Sequence, residues 1–256
     1  MCVLAFARNA HSRWRLVLVG NRDELHARPC AALARWRDAP GVIAGRDLEA
    51  GGTWMGVREP ARAAVVTNVR GPQFGRDGWS RGLLVAGFLS GPDDAAGCAA
   101  RLAEDAPRYR PFNLLLFDGS GARFVSNVPA ARVTEVSVGV HGLSNGDMDA
   151  PWPKVTRATG ALHAWLAADT EEFATLLDAF ASDTVAPDDA LPDTGVGIDM
   201  ERALSPVFVR GARYGTRATT LIALGRDGDG CIIERRFGPG GVPRGETTLR
   251  FGCANE

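Results

Sequence analysis

Short β-compatible segments alternate with pairs of helical segments along the whole chain, and this alternation restricts the fold more than any other feature. Strand-like runs bounded by Gly, Pro or Asp come first, two helical segments follow, and the order then repeats. Each sheet must cover both of its faces. The pattern therefore predicts two stacked antiparallel sheets with helices outside. A four-layer α/β/β/α sandwich of the α+β class satisfies this demand, although the pattern alone leaves other α+β arrangements open.

The segments themselves can be placed along the 256 residues. An apolar opening and a second apolar run, joined by a turn-like segment, predict an opening hairpin. Strands are predicted at 2–7, 14–20, 41–45, 53–57, 63–69, 113–117, 123–126, 135–141, 219–224, 231–237 and 246–251, and helices at 80–89, 93–104, 154–168 and 170–181. The Asp-, Pro- and Gly-rich segment 183–199 reads as a surface loop. We expect one domain spanning residues 1–256.

Composition excludes several classes of partner. The formal net charge is -1, so the chain lacks the basic field that nucleic acid demands. No apolar run is long enough to span a bilayer. The histidines lack metal-binding spacing, so no metal site is expected. The five cysteines are odd in number and include no CxxC pair, which argues against a disulfide framework and for a reducing, cytoplasmic location.

Cys2 follows the initiator methionine directly, and a small side chain at this position favours removal of Met1. The freed α-amine would titrate near the pKa of its own thiol and could act as the general base that activates it. One residue would then supply both the nucleophile and the base. The alternative is that Cys2 is a small buried hydrophobe at the start of a strand.

Four polar residues, Asn21 to Glu24, follow an apolar run where the second strand is predicted to end. Such residues are costly to bury unless they pair. Arg22, together with Asp23 or Glu24, could orient a thiolate near Cys2 and receive substrate charge. The alternative is a solvated turn that carries a surface ion pair.

Nine motifs in order resemble one known family, the NRDE family of the Transport and Golgi Organisation 2 protein, across nearly the whole chain. They are Met1-Cys2, Asn21-Arg22-Asp23-Glu24, Arg28-Pro29, Gly51-Gly52-Thr53-Trp54-Met55-Gly56, Thr67-Asn68-Val69-Arg70, Ser80-Arg81-Gly82, His141-Gly142-Leu143-Ser144-Asn145, Trp152-Pro153-Lys154 and Tyr214-Gly215-Thr216-Arg217. The resemblance implies the fold of N-terminal-nucleophile (Ntn) hydrolases and a similarity to choloylglycine hydrolases and penicillin V acylases, which cleave amides.

The polar tetrad departs from the pattern of those acylases, in which a Gly-Arg-x-x-Asp stretch ends the second strand. Aligned on Gly20, Asn21 stands where the acylases have Arg, and Glu24 stands where they have Asp. Arg22 and Asp23 fill those roles only after a shift of one residue, which in a regular strand moves side chains to the opposite face. The tetrad therefore leaves open whether the hydrolytic machinery is altered.

The resemblance implies further site residues. Asn68 and Asn145 are candidates to donate hydrogen bonds to the oxyanion of an acyl intermediate, and Arg217 corresponds to a late arginine of the acylases. The candidate substrate-binding residues are Asn21, Trp54, Arg70 and Trp152, with the two tryptophans as aromatic walls.

Two functions stay open, together with a third reading as a relative that keeps only the fold. The first is a cysteine amidohydrolase that acts on a small or lipid-like amide and needs no cofactor. The second is a carrier that binds haem, acyl-CoA or lipid as cargo in the same cleft, as the resemblance implies through haem trafficking and lipid metabolism. A haem cargo would require an axial ligand such as Cys2 or a histidine. The oligomeric state is left open.

Overall fold

The structure is a computed structural model that describes residues 2–71 and 77–252. Within these ranges the strands are β1 (Cys2–Arg8), β2 (Trp14–Leu25), β3 (Cys30–Arg35), β4 (Val42–Asp47), β5 (Met55–Arg58), β6 (Arg62–Asn68), β7 (Phe112–Phe117), β8 (Ala122–Ser126), β9 (Arg132–Glu135), β10 (Gly139–Leu143), β11 (Tyr214–Gly225), β12 (Gly230–Phe237) and β13 (Pro243–Phe251). The α-helices are α1 (Gly82–Ser90), α2 (Ala95–Asp105), α3 (Pro153–Ala167), α4 (Phe173–Ala179) and α5 (Ile198–Ala203).

The strands form two antiparallel sheets that differ in how the chain builds them. The seven-stranded sheet takes β3 to β9 in sequence order, each strand beside the next. The six-stranded sheet has the order β10-β1-β2-β11-β12-β13, so it combines the start of the chain with its last third. Its two central strands are β2 and β11, which pair over twelve-residue segments. Strand β1, which carries Cys2, lies between β10 and β2 and is therefore paired on both sides.

Three apolar cores separate the layers. Leu4 and Phe6 of β1 point between the sheets, whereas Val3 and Ala5 point to the layer of α3 and α4, as the period of a strand requires. A third core packs α1 and α2 on the outer face of the seven-stranded sheet. The fold is therefore the predicted four-layer α/β/β/α sandwich of the α+β class.

Strand β2 is longer than predicted. It was expected to end at residue 20, but it continues to Leu25 and pairs with β1 on one side and β11 on the other. Asn21 to Glu24 therefore lie inside a central strand and not in a turn. Their backbone groups are satisfied by the ladders, so only the polar side chains need partners.

The strands differ from the prediction in two further places. Residues 135–141 are not one strand, because β9 ends in the seven-stranded sheet and β10 begins in the six-stranded one, with Gly139 at φ +130° at the crossover. The edge strand β3 was not predicted, since its alanines have a weak preference for strands. Segment 183–199 lacks strands, as expected of a loop, although α5 begins at its end. Over the described ranges, none of the helices has the length and apolar character needed to cross a membrane.

Candidate active site

A cleft with a volume of about 690 Å³ is lined by residues of both sheets and of the segment that leads into α1. Cys2, Arg22, Asp23, Glu24, Trp54, Asn68, Arg70 and Arg217 all contribute to its lining. These eight predicted site residues are far apart in the sequence. The sandwich brings them to one place because β1, β2 and β11 are neighbours in one sheet and β6 lies in the other.

Cys2 lies directly opposite Arg22 in the register of β1 and β2. Residues that pair in this way point to the same face of a sheet. Cys2 is only 7% exposed, and burial raises the pKa of its thiol, while the Asp23 carboxylate also raises it and Arg22 lowers it. The register thus places Arg22, and not Asn21, beside the thiol.

Asn21 points to the opposite face of the sheet and is fully buried. Its amide nitrogen donates to the carbonyl oxygens of Phe180 at 2.8 Å and Val207 at 2.9 Å. Its amide oxygen accepts from Thr219 Oγ1 at 2.6 Å. Asn21 therefore fastens the outer layer to the sheet, and it does not line the cleft in the part of the chain that the structure describes.

Asp23 and Glu24 occupy different environments. Asp23 is almost fully buried, and its Oδ1 accepts from Thr216 Oγ1 at 2.6 Å. Burial raises the pKa of the Asp23 carboxyl, and the cations Lys154 and Arg70 act in the opposite direction. Glu24 is half-buried at the cleft, with Oε2 3.3 Å from Arg22 Nη2. The positive charge that Arg22 presents to the Cys2 thiol is therefore partly balanced by Glu24.

Asn68 and Asn145 are in direct contact. Asn145 Nδ2 donates to the side-chain oxygen of Asn68 at 2.9 Å and to its backbone oxygen at 3.1 Å. Asn68 is half-buried and lines the cleft, whereas Asn145 is fully buried behind it. The geometry makes Asn68 the amide that a bound ligand meets, and Asn145 the residue that positions it.

Lys154 is a member of this region that was not among the predicted site residues. Its side chain is buried, with Nζ 3.5 Å from Asn145 Oδ1. Burial, reinforced by Arg70, lowers the pKa of Lys154 to about 8. The sequence did contain a signal: Lys154 lies in the first turn of α3, where the helix dipole disfavours a cation.

Arg70, Trp152 and Arg217 have distinct surroundings. Arg70 forms a buried ion pair with Glu201, and its guanidinium carbon lies 5.0 Å from the centre of the Trp152 ring. Trp152 packs against the core below α3 and lies outside the cleft lining as far as the described residues show. Arg217 sits at a β-bulge between Thr216 and Ala218 and donates to the carbonyl oxygens of Leu25 and Arg28. Trp54 is the predicted aromatic wall that reaches the cleft.

No cluster of three or more metal-ligating side chains occurs among residues 2–71 and 77–252. Cys2, Cys30, Cys98 and Cys231 are free. Met1 and Cys253 lie outside the described residues, so the removal of Met1 stays a prediction. The chemistry that the described side chains offer is that of a thiol beside a cation, with an amide donor across the cleft.

This architecture, with Cys2 opening the inner strand β1 at the cleft, is that of an Ntn-hydrolase-type fold. A mutant of the conjugated bile acid hydrolase from Clostridium perfringens has the same fold, with a TM-score of 0.52 at 9% identity over 97% of this chain and 92% of that one. The family model described as Transport and Golgi organisation 2 matches residues 1–239, and the chain belongs to that family.

Curated relatives match along nearly their whole length. The chain is 30% identical to the human Transport and Golgi organization protein 2 homolog over 258 residues, which cover 92% of each chain. It is 28% identical to the Bos taurus homolog, with 97% of each chain covered. The predicted family and fold are therefore confirmed.

Proposed function

We propose that this protein is a cysteine amidohydrolase that cleaves a small or lipid-like amide through a thioester intermediate at Cys2. The observation that carries the proposal is the Cys2–Arg22 register pair at the wall of a cleft large enough for a small-molecule substrate. Asn68 faces the same cleft. A nucleophile, a cation beside it and an amide donor are the parts that acyl transfer requires.

The reaction proceeds in two balanced halves. The α-amine of Cys2, free after removal of Met1, takes the thiol proton while sulfur attacks the substrate carbonyl, and Asn68 donates to the resulting oxyanion. The C–N bond then breaks, and the departing amine takes the proton from the α-amine. Water attacks the thioester with the α-amine as base, which releases the acid and restores the thiol. Asn145 positions the side chain of Asn68 through its hydrogen bond to the Asn68 amide oxygen.

The raised pKa of the Cys2 thiol explains why such a base is needed. Burial keeps the thiol neutral at pH 7, and the thiolate is the nucleophilic form. Arg22 favours the thiolate, but burial is the larger effect. Removal of Met1 is therefore an essential part of this proposal.

A second candidate function is a carrier that binds haem, acyl-CoA or lipid in the cleft without cleaving it. The same neutral, buried thiol favours this reading, because an unactivated Cys2 is a poor nucleophile. No histidine appears among the described residues that line the cleft, so a haem cargo would take Cys2 or Cys30 as its axial ligand. Cytoplasmic localisation belongs to either proposal and is supported by the free thiols of Cys2 and Cys30.

The test is the intact mass of the purified protein before and after reaction with an activated acyl ester. Hydrolase function predicts loss of Met1 and one acyl group that is absent from a Cys2→Ala variant. Cys30→Ser is the matched control, because Cys30 is an exposed thiol of the same cleft. Retained Met1, or acylation that persists in Cys2→Ala, would overturn the hydrolase and favour the carrier, which titration with haem and acyl-CoA would then examine.

A further inference from the structure

Arginine dominates the charge of the cleft. The lining contains four carboxylates, Asp23, Glu24, Asp47 and Glu234, against eight arginines, Arg22, Arg28, Arg46, Arg70, Arg81, Arg110, Arg217 and Arg236. The protein as a whole has a net charge of only -1. The positive excess is therefore local to the cleft, where field lines are focused on whatever binds there.

Five of these arginines have a carboxylate within ion-pair distance. The pairs are Arg22 with Glu24, Arg28 with Asp47, Arg46 with Asp38, Arg70 with Glu201, and Arg236 with Glu234. Their charges are largely cancelled by groups of the protein itself. These five arginines therefore give no reason to expect that the cleft binds an anion.

The other three, Arg81, Arg110 and Arg217, form no ion pair with a carboxylate over the described ranges. Arg217 instead donates to backbone carbonyl oxygens. Arg81 is half-buried, and its Nη1 donates at 3.2 Å to the carbonyl oxygen of Pro111, the residue that follows Arg110 in the chain. Arg81 and Arg110 therefore both line the cleft and repel each other electrostatically, and neither has a carboxylate within ion-pair distance among the described residues.

Arg81 lies within electrostatic range of the nucleophile. Burial lowers the pKa of Arg81, Cys2 and, less strongly, Glu24 raise it, and Arg110 lowers it. A guanidinium remains protonated under all ordinary conditions, so its burial without a counter-ion has a cost that a bound anion removes. The forked donors of Arg suit carboxylate and phosphate oxygens.

We propose that Arg81 and Arg110 bind an anionic group of the ligand, a carboxylate or a phosphate, while its amide lies at Cys2. The inference rests on the proposed function for the position of the amide, and it narrows the substrate class to acidic amides. Arg81 lies at the entry to α1 and Arg110 just before β7, so the site joins two elements of the seven-stranded sheet's side of the sandwich. Arg217 contributes positive charge from the opposite sheet.

Equilibrium binding to the Cys2→Ala variant separates this inference from catalysis. Calorimetric titration compares N-octanoylglycine with N-octanoylglycinamide, which differ only in the carboxylate. We expect the acid to bind about tenfold more tightly or better, the effect of one or two charge-assisted hydrogen bonds. N-octanoyl-O-phosphoethanolamine in the same titration shows whether phosphate is preferred to carboxylate.

Arg81→Gln and Arg110→Gln, each in the Cys2→Ala background, should remove most of the preference for the acid. Arg46→Gln is the matched control, because Arg46 lines the same cleft but is already paired with Asp38. Arg110 is exposed, so its variant keeps the test valid if Arg81→Gln does not fold. Equal affinity for acid and amide, no binding of the acid, or a preference that survives both substitutions would overturn the anion site. Failure of Cys2 acylation alone would overturn only the hydrolase.

Discussion

Nζ of Lys154 lies 3.5 Å from Oδ1 of Asn145, and both side chains are buried. The contact ties a lysine of α3 to the amide that positions Asn68. Lys154 has Asp23 and Glu201 as favourable charges and Arg70 as an unfavourable one. The buried charges behind the cleft therefore lie close enough to interact with Lys154 electrostatically.

The pKa of Lys154, lowered from 10.5 to about 8 by burial, predicts how stability depends on pH. Between these values the unfolded chain binds more protons at this residue than the folded protein, so its contribution to stability rises with pH. Over this pH range the contribution of Lys154 to the free energy of unfolding changes by about 3 kcal/mol. Cys2 and Tyr214, whose pKa values burial raises, act in the opposite direction above pH 9.

A Lys154→Met variant isolates this contribution. We expect the free energy of unfolding of the wild type, minus that of Lys154→Met, to rise between pH 8 and pH 10.5. Urea unfolding at several pH values measures both proteins with the other titrating groups in common. A difference that stays constant over this range would contradict the low pKa of Lys154.

Replacement of Arg22 by Gln should make the Cys2 thiol less reactive. Arg22 lowers the pKa of Cys2 from across the β1–β2 ladder, so its removal raises that pKa further. We expect the rate of Cys2 alkylation by iodoacetamide at pH 8 to fall about threefold or more, since the thiolate is the reacting form. Peptide mass spectrometry separates Cys2 from the exposed Cys30. An unchanged rate would mean that Glu24 already cancels the charge of Arg22.

Substitution of Asn68 by Ala tests the oxyanion donor. Loss of one such donor lowers the rate of acyl transfer by about a hundredfold or more, so we expect this loss in the rate at which an acyl ester modifies Cys2. Asn113→Ala is the control, because Asn113 donates to the carbonyl oxygen of Gly146 and does not line the cleft. Equal rates for wild type and Asn68→Ala would assign Asn68 to structure alone.

Gly52 should not tolerate a side chain. A Cβ at this position would meet the backbone of Gly82, where the loop before β5 crosses the start of α1. Backbone cannot yield as a flexible side chain does, so we expect Gly52→Ala to cost about 1–3 kcal/mol of stability. Gly87→Ala in α1, where a Cβ meets nothing within 4 Å, should instead stabilise by about 0.5–1 kcal/mol. Thermal unfolding of the two variants distinguishes the effects.

The sandwich followed from the sequence because periodicity and turn residues report directly on exposed and buried faces. The family motifs indicated which positions to examine, and eight of the eleven candidate site residues line the cleft. Periodicity could not predict whether Asn21 or Arg22 points to the same face of the sheet as Cys2, because this depends on the register of β1 against β2. Asn145 and Trp152 lie behind residues that line the cleft, a depth that motif matching does not encode. Lys154 carried a signal as a cation in the first turn of α3, but its partners Asp23 and Asn145 are brought to it only by packing.

The strand order of the two sheets also has a consequence for how the protein is made. The seven-stranded sheet is encoded without interruption by residues 30–135, so it can assemble before the ribosome has finished. The β1–β2 hairpin leaves the ribosome earlier, but its neighbours β10 and β11 begin only at Gly139 and Tyr214. Strand β1, with Cys2, therefore lacks its neighbour β10 until more than half of the chain has been made, and enzymes that act on nascent chains can reach it during that time.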